Sequence, residues 1–133
     1  MDERQRVAIS EFISDRTPRP LTGPVLSFNL PQEIAALRAE VEYAKGHNGR
    51  TLIKNSDFRL VLVALQQGAQ LHEHRTDLHL AVQPLSGHLR VHLPDEVVNL
   101  HPDQLLSLGR DQTYSIEAVE PTEFLLWVGW SNA

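Results

Sequence analysis

Two histidines separated by a single residue, His72 and His74, lie inside a glycine-bounded stretch that runs from Gly68 to Gly87. On an extended chain successive side chains alternate faces, so both imidazoles would share one side, roughly 7 Å apart. Such a pair can chelate one divalent metal ion or grip one anionic ligand. Glu73, between them, has the opposite parity and would point away. The chain holds seven histidines, and all but His47 fall between residues 72 and 101. His88, Arg90 and His92 alternate with Leu89 and Val91, the pattern of a strand wet on one face. His101 precedes Pro102 in a turn and reads as solvated. No Ser-His-Asp spacing, phosphate loop or carboxylate pair stands out.

The composition narrows the classes of function. At 133 residues the chain is one domain, long enough to bury a core. A net charge of -5 argues against a nucleic-acid partner, since nothing would neutralise a run of phosphates. No apolar stretch reaches the length of a membrane span; Phe58 to Leu65 is interrupted at Arg59 and ends in Gln66-Gln67-Gly68. Cysteine is absent, which removes disulfides and thiolate zinc sites. The opening Met-Asp-Glu-Arg-Gln-Arg lacks the layout of a secretion signal, and the expected location is the cytoplasm.

The elements that must position the histidines follow from periodicity. Residues 2–15 space Val7, Ala8, Phe12 and Ile13 as a short amphipathic helix or a frayed arm would. Three prolines and a glycine in Thr17–Pro24 mark an extended linker, and Val25–Phe28 suits an edge strand. A helix is predicted after Asn29, with Gln32 at capping-box spacing and Pro31 in the first turn. Ile34, Leu37 and Val41 mark its apolar face, and Lys45-Gly46 stops it. From Thr51 the texture is all-β. Strands are predicted over 51–54, 58–67, 78–85, 88–93, 97–100, 104–108, 113–119 and 123–130, with turn signals between them. Short strands in that rhythm suggest a jelly roll or small barrel.

These residues resemble the cupin superfamily, and more narrowly small bacterial single-domain, RmlC-like cupins with a helical N-terminal extension. Gly68, His72-Glu73-His74 and Gly87 look like the first cupin motif. Gln104 to Ala118 looks like a degraded second motif, and Glu123 to Trp127 like the closing strand. The resemblance covers about residues 50–130. It implies a cupin-like double-stranded β-helix, a jelly-roll barrel over 51–133, with residues 1–50 as a helical extension and linker of the same domain. It also implies a site in the barrel mouth. The departures are specific. Where the motif's glutamate would stand, counting from His74 reaches His79 and counting from Gly87 reaches Leu80. Tyr114 replaces the second motif's histidine. Two of four family ligands remain, and His79, Gln83 and Tyr114 are the candidates for a third donor.

The functional expectation is therefore a small-molecule-binding or sensing cupin with a degenerate metal site. Its ligand residues would be His72, His74, Gln83 and Tyr114. The alternative is a metal-dependent enzyme of oxygenase or isomerase type that uses His72 and His74 on zinc, iron or nickel. A structural dimer module is a third reading. Trp127 and Trp130 suit core or subunit contacts, with a stacking platform as the alternative. A homodimer is expected because Phe58 to Leu65 is apolar on both alternations. Leu60, Leu62 and Ala64 thus need a cover that one short helix could not supply alone.

Overall fold

The computed structural model describes residues 6–8, 21–73 and 78–130, with the backbone alone for Arg6–Ala8 and Glu73. Two five-stranded sheets face each other. The first has the order β1 (Arg6–Ala8), β4 (Gln70–Glu73), β9 (Tyr114–Ala118), β6 (Leu89–His92), β7 (Val97–Leu100). The second has the order β2 (His47–Lys54), β3 (Phe58–Leu65), β10 (Thr122–Gly129), β5 (His79–Ser86), β8 (Leu106–Leu108). Every pairing is antiparallel except β1 with β4, which is parallel. The architecture is the double-sheet jelly roll that the spacing of apolar residues and turns predicts.

Alternation builds the core. Val61, Val63 and Leu65 of β3, Leu80 and Val82 of β5, and Phe124, Leu126 and Val128 of β10 face inward. They meet Leu71, Leu89, Val91, Tyr114 and Ile116 from the first sheet in one apolar cluster. Sheets stacked in this way lie about 10 Å apart, close enough for facing side chains to interdigitate. At Gly87, between β5 and β6, φ is +84°, and an added Cβ would collide with Thr122 Oγ1 and the Pro121 carbonyl. Only glycine fits there.

Helix α1 (Leu30–Ala39) begins as the sequence predicts: Asn29 Oδ1 accepts from the Gln32 amide at 3.1 Å, and Pro31 sits in the first turn. It ends sooner than the apolar spacing suggests. Glu40 is extended (ψ 150°), so the chain turns before the short helix α2 (Val41–Ala44) and leaves Val41 66% exposed. Val41 is therefore not on the buried face. Val25–Phe28 forms no strand; Val25 is exposed, while Phe28 packs beneath α1.

Two strands escape the periodicity argument. β4 contributes one core residue, Leu71, in four positions, too few for a pattern to show. Arg6–Ala8, inside the segment spaced like a helix, is instead a strand on the edge of β4. An edge presents unpaired N–H and C=O groups, and a short arm can satisfy them whatever its helical periodicity. The rest of that segment, and linker residues 17–20, lie outside the described residues.

The apolar outer side of β3 has a cover within the chain. Leu60, Leu62 and Ala64 are buried within the single chain, against Leu37, Leu52 and Leu125, with Leu30 and Ile34 alongside. One ten-residue helix, with the chain leading into it, covers this part of the sheet.

Candidate functional site

The register of β4 on β9 decides where His72 points. Leu71 opposes Ile116, and both are buried in the inter-sheet core. Glu73 opposes Tyr114, which is 3% exposed in that same core. His72 opposes Ser115 and has the other parity, so the register sets it on the outward side of the sheet, half-buried, with Nδ1 shielded from solvent. The expectation that His72 and Tyr114 face one cavity is corrected here. Side chains alternate with a period of two, and the two residues sit on opposite parities. His74 lies outside the described residues.

Gln83 and His79 belong to another surface. Both stand on β5 with outward parity, since their neighbours Leu80 and Val82 enter the core. Gln83 Oε1 accepts a hydrogen bond from Trp127 Nε1 at 3.2 Å, across to β10. Neither residue reaches the barrel interior, so neither serves as a third donor beside His72. Among the described residues no group of three His, Cys, Asp or Glu side chains is arranged to hold a metal ion. The described donors therefore do not fit the metal that the motif implies.

Beside His79, however, the second sheet carries a hollow of about 380 Å³. Two cross-strand rows make its floor. In one, Phe58, Gly129 and His79 are in register; in the next, Trp127, Ala81 and Ser107. Gly129 and Ala81 are the small members, and the hollow lies over them. Phe58 and Trp127 wall one side, their ring centroids 6.4 Å apart and their planes 30° from parallel. His79 and Ser107 stand on the strands opposite. Sequence reasoning missed Phe58, Ala81, Ser107 and Gly129. The available signal was small residues at outward parity beside outward aromatics, which needs the register before it can be read.

Of the other described histidines, His47 opens β2 of the second sheet, while His88, His92 and His101 lie at β6 and β7 of the first. His88 stacks on His101 with centroids 4.2 Å apart, and His88 Nε2 is 2.8 Å from Asn99 Oδ1. Glu117 Oε1 lies 3.1 Å from His92 Nε2 and 3.7 Å from Arg90 Nη1. Leu89 and Val91, between them, are buried. This is the wet face that the alternation predicts, its charges paired at the surface.

No family model and no curated protein matches the sequence. Solved structures do match it. A conserved protein of unknown function from Streptococcus pyogenes superposes with a TM-score of 0.60 at 23% identity, over 65% of this chain and 76% of that one. A cupin superfamily protein from Desulfitobacterium hafniense gives 0.61 at 14% identity, over 64% and 78%. The cupin domain of an XRE-family transcriptional regulator from Enterobacter cloacae gives 0.60 at 18% identity, over 65% and 99%. At these identities the likeness is one of fold. No helix among the described residues is long and apolar enough to cross a membrane.

Proposed function

We propose that this chain, whose fold is the cupin jelly roll, is a small-molecule-binding module that works by holding a ligand rather than by turning one over. The observation that carries the reading is Tyr114. At the position where the resemblance calls for a metal-binding histidine, a phenol is buried among the apolar side chains of both sheets. A phenol is a poorer donor than imidazole for zinc or nickel, so the replacement favours a holding role over metal chemistry. A ligand-sensing role agrees with the Enterobacter cloacae match, a cupin domain within a transcriptional regulator. Sensing by this chain is part of the proposal.

The test combines elemental analysis with a thermal-shift screen on untagged protein. We expect substoichiometric zinc, iron and nickel, and a rise in Tm with at least one small organic molecule. A ligand at one hundred times its Kd stabilises the native state by about 2.7 kcal/mol, which such a screen resolves. One equivalent of metal, lost when both His72 and His74 become alanine, would overturn the reading in favour of a metal-dependent enzyme.

A further inference from the structure

We infer that the hollow over Gly129 and Ala81, on the outer face of the second sheet, is a binding site for an uncharged, flat aromatic molecule with one hydrogen-bonding group at its edge. The inference rests on the small-molecule reading above and gives it a place and a ligand class.

The hollow is made by sequence, not left by loose packing. On outward positions of a sheet, neighbouring strands normally fill the surface with adjacent side chains. Here glycine and alanine occupy the central positions of two successive rows. An added Cβ at Gly129 would meet nothing closer than 3.9 Å, so the backbone does not demand glycine there. The about 380 Å³ over these residues lies within the range of small-molecule pockets, roughly 300–1,000 Å³.

The walls select the ligand. Trp127 is 38% exposed, and its N–H is already engaged by Gln83, which holds the indole in place and leaves its ring surface to make contact. Phe58 extends that surface. Aromatic rings favour offset or edge-to-face contact with a further ring, so a flat aromatic gains more here than an aliphatic of equal size. Across the hollow, His79 and Ser107 offer an imidazole and a hydroxyl, which pair with a hydroxyl or carbonyl at one edge of the ligand. Among the described residues no Asp or Glu lines the hollow to pair a cation and no Lys or Arg to pair an anion, and the net charge of -5 adds repulsion of anions. An uncharged ligand is the one that needs no such partner.

A second copy of the chain is the competing occupant. A stable dimer buries about 800 Å² per partner. Helix α1 already covers the larger apolar part of this face, leaving Phe58, Trp127, Ala81 and the neighbouring Leu105 as its main open apolar residues.

Calorimetric titration of the whole chain with 2-naphthol tests the inference, with 2-naphthoate as the charged comparison. We expect 2-naphthol to bind, and to bind more tightly than 2-naphthoate. Gly129→Leu and Ala81→Arg, which fill the hollow from different strands, should abolish binding with the circular dichroism spectrum unchanged. His79→Ala should weaken it about fivefold, the loss of one net hydrogen bond. Unchanged affinity in both filling variants would place the site elsewhere and overturn the inference, while the small-molecule reading stands. Failure of 2-naphthol alone, with other small molecules still binding, overturns the ligand class. Wild-type protein that binds none of the screened molecules would sink the small-molecule reading itself. Light scattering that returns a dimer for the wild type and a monomer for Gly129→Leu would make the hollow a subunit contact, which also overturns the inference.

Discussion

On the outer face of the second sheet, the same three strands carry a closed surface at one end and an open one at the other. Toward the closed end, Leu62 and Ala64 of β3 and Leu125 of β10 lie under α1, with Leu37 at the centre of the contact. Polar clamps fix the helix there. Arg38 Nη2 donates to Glu123 at 2.8 Å, and Ser86 Oγ donates to the same carboxylate at 2.8 Å. Asn48 Nδ2 donates to the Leu37 carbonyl and to Glu40, and Arg50 reaches both Glu33 and Glu40. At the open end the rows run Phe58–Gly129–His79 and Trp127–Ala81–Ser107. No described helix residue lines the hollow there; small residues alternate with aromatics, and the sole clamp described is Gln83 on Trp127. One end is thus built as core and the other as a surface with a shaped recess. Apolar character alone does not separate them. Side-chain size along the row and the presence of a polar latch do.

Breaking the closed end should have the largest effect. Leu37→Ala removes a side chain with no solvent exposure and leaves a cavity under α1. The expected cost is about 2–5 kcal/mol, read as a lower urea midpoint. A loss under about 1 kcal/mol would mean that α1 contributes little to the core. The latch should come next. In a double-mutant cycle with Arg38→Ala and Glu123→Ala, a coupling of about 1 kcal/mol is expected, because Glu123 is buried while the Arg38 side chain is 45% exposed. A coupling indistinguishable from zero would reduce the latch to a surface ion pair. At the open end the sign should reverse. Gly129→Ala adds a methyl group where there is room, and a strand glycine costs about 0.5–1 kcal/mol relative to alanine, so stability should rise by up to that amount. A destabilised Gly129→Ala would show that the recess has no room for a methyl group.

Much of the fold was legible because its signals are local. Alternation in His79–Ser86 and Leu89–His92, the Asn29 cap, and glycine at Gly87 each follow from a few neighbouring residues. β4 was not legible, since four residues with one core position carry no period. The end of α1 was misjudged because Val41 continues the apolar spacing across a break at Glu40 that only backbone geometry reveals. The candidate site was legible only in part. His79, a candidate for an interior metal site, instead lines an outer recess and Gln83 holds the Trp127 that walls it, while His72 and Tyr114 sit on opposite parities of paired strands.

The sequence by itself determined the alternation that sorts β5 and β6 into inward and outward residues, while β3, apolar on both faces, took its sides from the structure. The sequence also determined the net charge and the absence of cysteine, which bound the chemistry. Only the tertiary structure decided which strands are neighbours. That pairing sets Gly129 between Phe58 and His79, and Ala81 between Trp127 and Ser107. The physical reason is register. Alternation fixes the face on which a side chain stands, but a recess is made by residues far apart in the chain, and their juxtaposition depends on hydrogen-bonded pairing that no local period encodes.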